Sequence, residues 1–148
     1  MAKQEIRFYE LSKVKIEQAL PQLLYKIYDS LPENILLLVE DQKQAISYDQ
    51  LLWTFSSNKF LPHGKATDEK NIYHPLLITD KEENLNQAQI IVTNCVVSND
   101  FIKQFTKQIM IFPESQKDIF LEKLSSLEYP SDVVTYWKQD QSGKWYKN

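Results

Sequence analysis

The run Ile35–Val39, ILLLV, constrains this chain more than any other stretch. It follows the Pro32–Asn34 turn and gives way at once to Glu40-Asp41. Five bulky apolar residues in a row have no polar face, so a strand made of them must be covered on both sides. That requires helices above and below a largely parallel sheet. The surrounding sequence supplies the pieces. Ile6–Leu11 (IRFYEL) alternates as a strand does, and HPLLIT, AQIIVTN, QIMIFP and DVVTYWKQ read as further strands. Apolar residues at 16, 19, 20, 23, 24, 27, 28 and 31 have helical spacing, although Pro21 means that the helix either starts near Leu20 or bends there. Asp41 with Gln44 three residues on has the form of a capping box, opening a helix whose buried face is Ala45, Tyr48, Leu51 and Leu52. Ser115 with Asp118 suggests a second box, for a helix reaching about Leu127. Asn58–Tyr73 reads as a loop, Ser98–Gln108 (SNDFIKQFTKQ) as a short helix or loop, and Asp140–Asn148 (DQSGKWYKN) as a turn and tail. The 148 residues fit one domain, 1–148: a three-layer α/β/α fold with a largely parallel, mixed central sheet and no repeats or low-complexity linker.

That outline is shared with nucleotide-binding proteins, but the phosphate chemistry is missing. The chain has two glycines, Gly64 and Gly143, too few for a dinucleotide fingerprint, and no phosphate-cradling loop. The strand-to-helix turns read LSKVK and EDQKQ, and Glu40-Asp41 would repel a phosphate. A net charge of −3 argues against a general nucleic-acid binder. The lone Cys95 has no disulfide partner, which suits a reducing cytoplasm, and it reads as a small buried residue unless a base is positioned beside it. Met1–Gln4 does not resemble a leader, and no apolar run is long enough to span a bilayer. His63 and His74 have no cysteine or acid placed to complete a tetrahedral metal site. No cofactor or metal is expected. Glu40 and Asp41 stand where α/β enzymes keep their active sites, so an acid/base pair remains an alternative to a helix cap.

The residues least explained by a core lie in Leu51–Gly64, LLWTFSSNKFLPHG. Phe55 and Phe60 flank a polar turn. They either pack the loop back onto the domain or form an exposed patch for another protein.

FYEL, VEDQKQAISYDQLLWTFSSNKFLPHGKA, HPLLIT, AQIIVTN, IMIFP and TYWKQDQSGKW, in that order, resemble the chi subunit of bacterial DNA polymerase III over nearly the whole chain. The most specific part is the acidic-start helix leading into Leu-Trp and then Phe-Leu-Pro-His. The resemblance implies an α/β accessory protein without activity of its own. Such a protein links the clamp loader, through a psi subunit or a helicase in its place, to the acidic, phenylalanine-ended tail of single-stranded-DNA-binding protein. It touches DNA mainly indirectly, in the bacterial cytoplasm. Carried over, the psi or helicase surface falls on Trp53, Phe60, Leu61 and Pro62. The tail site falls on Phe112 and Lys123. There Ser126 and Leu127 stand where the family often has aromatic and basic residues, and Glu122 and Glu128 add negative charge, so a weaker site is expected. Direct single-strand binding through the lysine-rich end, WKQDQSGKWYKN, is a third reading, which the net charge disfavours.

Overall fold

The computed structural model describes residues 4–68 and 74–148. The elements run β1 (Glu5–Leu11), α1 (Ile16–Ser30), β2 (Ile35–Leu38), α2 (Gln42–Thr54), β3 (Gly64–Lys65), β4 (Leu76–Thr79), β5 (Ile90–Thr93), α3 (Asn99–Ile102), β6 (Lys107–Pro113), α4 (Lys117–Leu127), β7 (Val134–Gln139) and β8 (Trp145–Lys147). One eight-stranded sheet has the order β3-β4-β2-β5-β6-β1-β7-β8. Every pairing is parallel except β7 with β8. This is the α/β fold with a mixed, largely parallel sheet that the sequence implies.

β2 is buried along its whole length, as its composition demands. Alternate side chains divide between two cores. Ile35 and Leu37 face α1 and α2, together with Tyr9, Ile78, Val92 and Ile111. Leu36 and Leu38 face α3 and α4, together with Phe8, Ile91, Met110 and Phe112. Among the described residues no helix is long and apolar enough to cross a membrane.

Three sequence expectations need correction. α1 starts at Ile16, as the apolar spacing implied, and not near Leu20, so Pro21 lies inside the helix. The missing Pro21 N–H leaves the Glu17 carbonyl without its helical partner, a cost confined to the exposed start of the helix. The Ser115 capping box does not form: a 3₁₀ turn over Glu114–Gln116 precedes α4, and the residue before α4, Gln116, makes no side-chain cap. The C-terminal tail is not loose. Asp140 accepts hydrogen bonds from the backbone of Ser142 and Lys144 at 2.8 and 2.9 Å, turning the chain so that β8 adds an antiparallel edge. The Asn58–Tyr73 segment contains the short β3, and its residues 69–73 lie outside the described part.

Two phenols set the response to alkali: Tyr48 reaches from α2 to Asn94 at the end of β5, and Tyr136 joins neighbouring strands β7 and β1. Burial pushes Tyr48 up to about 12, aided by Glu17 and partly offset by the Asn94 hydrogen bond. Tyr136 is raised further by burial and by donating to Glu10 Oε1 at 2.5 Å. In the unfolded chain both ionise near pH 10. Their contribution is therefore complete below that pH and is lost as pH rises through it toward the folded values. Unfolding free energy should fall with pH above about 10, more shallowly in a Tyr48→Phe/Tyr136→Phe variant. An unchanged slope would place the alkaline sensitivity elsewhere.

Candidate protein-docking surfaces

The first surface is built from α2 and the loop behind it. Asp41 caps α2 by accepting from Gln44 N–H at 2.8 Å, and the Glu40 N–H donates in turn to Gln44 Oε1 at 2.9 Å. Asp41's carboxylate is thereby committed to the helix start. The helix turns Ala45, Tyr48 and Leu52 inward. Ile46 and Trp53, seven residues apart, lie along one line of its outer face. They are 46% and 53% exposed.

Beyond α2 the chain turns, and the two phenylalanines part ways. Phe55 packs back on α1, 6.3 Å from the Tyr25 ring. Phe60 turns outward, 64% exposed, with its ring 5.9 Å from Trp53. Leu61 is the opposite, a fully buried plug in the α1/α2 core. Of the four residues expected at this surface, Trp53 and Phe60 are exposed, Pro62 is half-buried and Leu61 is buried.

His63 holds the arrangement in place. It is buried, with one ring nitrogen 2.7 Å from the Leu61 carbonyl and the other 3.1 Å from the Asp49 carbonyl and 3.3 Å from Asp49 Oδ1. Its ring also lies 4.4 Å from that of Trp53. The loop is thus pinned to α2 from beneath, and the aromatic pair is held without collapsing inward. Next to it, a Cβ on Gly64 would sit 2.3 Å from the His74 ring, so only glycine lets that ring approach. His63→Ala should cost about 1–3 kcal/mol, the penalty for leaving buried polar groups unpaired. Amide exchange across Lys59–Pro62 should rise with it. Unchanged exchange would mean the loop is held by Leu61 alone.

The second region lies on the other face of the sheet. Phe112 is completely buried and stacks on Phe120 at 4.4 Å. Of the two residues expected at the tail site, Phe112 therefore has its ring in the core behind α4. Lys123 is half-exposed. Burial lowers it, with Glu82 opposing. Glu82 is itself held low, chiefly by the Ser98 hydroxyl and backbone N–H, with a smaller pull from Lys123. Ser126 donates to the Lys123 carbonyl at 2.7 Å, and Leu127 is buried. One residue beyond Lys123, a shallow cavity of about 350 Å³ opens between Leu124, Tyr129 and Val134, with Glu128 at its side.

The crevice beyond β2 and β5 is filled by the chain itself. Asn94 Nδ2 donates to Gln44 Oε1 at 3.1 Å and to the Tyr48 hydroxyl at 3.3 Å. Thr93 donates to the Leu38 carbonyl at 2.9 Å. Burial pushes the Cys95 thiol up, and Glu40 and Glu82 act in the same direction against a Thr93 hydrogen bond, the reverse of an activated nucleophile. Among the described residues no cluster of three or more histidine, cysteine or acidic side chains is arranged to hold a metal.

Residues 3–122 match the family model described as DNA polymerase III chi subunit, HolC. The chain belongs to the DNA polymerase III chi subunit family. A relative in Rickettsia prowazekii (strain Madrid E), described as a probable DNA polymerase III subunit chi, is 26% identical over 153 aligned positions, covering 97% of this chain and 92% of its own. Chi membership makes this a subunit of the replicative polymerase complex. The family match contains α2, the aromatic loop and Phe112 and stops one residue short of Lys123. Sequence reasoning missed Ile46 as an exposed neighbour of Trp53, although its position seven residues before Trp53 carried the signal.

Proposed function

We propose that this chi-family chain is a non-catalytic adaptor of the polymerase III complex in the bacterial cytoplasm, one domain spanning residues 1–148 with two protein-docking faces. The first takes a psi-type clamp-loader subunit, or a helicase in its place, on Ile46, Trp53 and Phe60, with Leu61 and Pro62 fixing the loop. The observation that carries this reading is the pair of large aromatic rings, both more than half exposed, set over a buried histidine. Exposed aromatics on a rigid support cost little entropy on binding and concentrate affinity. The alternative, catalysis by Glu40 and Asp41, has less behind it, because Asp41's carboxylate is taken up by the cap.

The second face takes the acidic tail of single-stranded-DNA-binding protein against α4. Lys123 supplies charge, the shallow cavity beyond it receives an apolar end, and Phe112 serves from behind by holding Phe120. Glu82 and Glu128 dilute the positive charge, so binding is modest and salt-sensitive. A fluorescent peptide copying the source organism's own tail tests this. Binding should weaken several-fold between low and high salt and be lost in Lys123→Glu. Salt-independent binding, or binding unchanged by Lys123→Glu, would move the tail site elsewhere.

A further inference from the structure

A further cavity lies apart from both surfaces. It opens between α1 and the β7–β8 hairpin and holds about 630 Å³, within the roughly 300–1,000 Å³ typical of small-molecule sites. Its floor is aromatic. Trp137 stacks on Tyr9 at 6.0 Å, and Trp145 meets Tyr9 edge-on at 5.0 Å. α1 contributes an aliphatic wall through Ala19, Leu23 and Ile27. Gln139 keeps the floor from folding into the space. Its oxygen accepts the backbone N–H groups of Ser12 and Lys13 at 2.9 and 3.1 Å, and its amide donates to the Gly143 carbonyl at 3.3 Å.

The charge of the groove is one-sided. Among the described residues, Arg7 and Lys26 are its charged lining residues and no aspartate or glutamate lines it, in a chain with 20 acidic residues against 17 basic. Glu5 does pair with Arg7, its Oε1 accepting from Nε at 2.7 Å and Nη2 at 2.6 Å. Glu5 is shared, however, with Lys107 Nζ at 3.9 Å. At Glu5 two cations, Arg7 and Lys107, share one carboxylate, and the Arg7 Nη1 group, 3.4 Å from the Tyr9 hydroxyl, still has a donor to give. Arg7 lies two residues before Tyr9 in β1, on the same face, so the positive end continues the aromatic floor.

We propose that this groove binds a small amphipathic monocarboxylate. Its carboxylate sits at Arg7 and Lys26, and its aliphatic or aromatic body lies along Tyr9, Trp137 and Trp145. Charge complementarity selects the occupant: an apolar groove alone accepts any hydrophobe, whereas one whose described lining carries Arg7 and Lys26 as its charged groups prefers an anion.

Tryptophan fluorescence in the full chain reads this directly, in a Trp53→Phe background that leaves Trp137 and Trp145 as reporters. Dodecanoate, dodecanol and dodecyltrimethylammonium are titrated separately, each below its micelle concentration. Dodecanoate should bind about tenfold or more tighter than the alcohol, the size of one charge-assisted hydrogen bond, and the ammonium should bind weakest. Arg7→Gln/Lys26→Gln should bring the acid down to the level of the alcohol. Gln18→Trp, at the exposed rim, should block the groove while leaving the core intact. The proposal is overturned if the alcohol binds as tightly as the acid, if the double variant keeps the preference, or if none of the three binds saturably.

Discussion

Phe60→Ala is expected to weaken capture of the clamp-loader partner by roughly 30- to 1,000-fold, the range of an interface hot spot of about 2–4 kcal/mol. The ring is 64% exposed in the isolated chain, so removing it takes little from the fold, and the unfolding midpoint should hardly move. Trp53→Ala should produce a loss of the same order. The two rings are 5.9 Å apart and share one patch, so the double variant should lose less than the sum of the single losses. Ile46→Ala belongs to the same face but removes a smaller, less exposed group, and a loss below tenfold is expected. A calorimetric or surface-binding titration with purified partner separates these outcomes. If Phe60→Ala binds like wild type, the loop is only surface.

Phe112→Ala should behave in the opposite way. Its ring is fully buried, stacked on Phe120 and edge-on to Phe8 at 6.0 Å. Truncation opens a cavity in the core shared by β1, β6 and α4. The cost is about 3–5 kcal/mol, a large part of the total stability of a domain this size. Chemical denaturation should show a much lower midpoint. Tail-peptide affinity, measured at a temperature where the variant remains folded, should change far less. A stable Phe112→Ala that no longer binds the tail would return Phe112 to the contact surface. This contrast separates residues that hold the adaptor together from residues that meet its partners.

The elements legible in the sequence are those where one physical demand left no alternative. ILLLV had no polar face, so it became a strand covered on both sides. Asp41 and Gln44 had the spacing to cap α2, and they do. Where two demands competed, the sequence misled. Ser115 and Asp118 have capping spacing, but Pro113 is the extended residue and a 3₁₀ turn carries the chain into α4. Pro21 allowed a helix start near Leu20, yet α1 starts at Ile16, its buried stripe outweighing one lost hydrogen bond near its start. β8 is a three-residue edge strand whose register comes from the Asp140 turn and not from its own composition.

At the docking surfaces, residue type alone could not tell Phe60 from Phe55 or Phe112. Which phenylalanine faces water depends on His63, which bonds to the Asp49 carbonyl fourteen residues earlier in the chain, and on α4 lying over β6. The α1–hairpin groove was illegible for a related reason. Its walls come from both ends of the chain and meet only once β7 pairs with β1.

The adaptor reading is tested most directly by asking whether both partners bind at once. Trp53 and Phe60 belong to the α2 side of the sheet and Lys123 to the α4 side, so the two sites should not compete. With the clamp-loader partner captured on the immobilised chain, the tail peptide of single-stranded-DNA-binding protein is added. A ternary complex should form, with Phe60→Ala losing only the first partner and Lys123→Glu only the second. Displacement of one partner by the other, or loss of both in either variant, would contradict it.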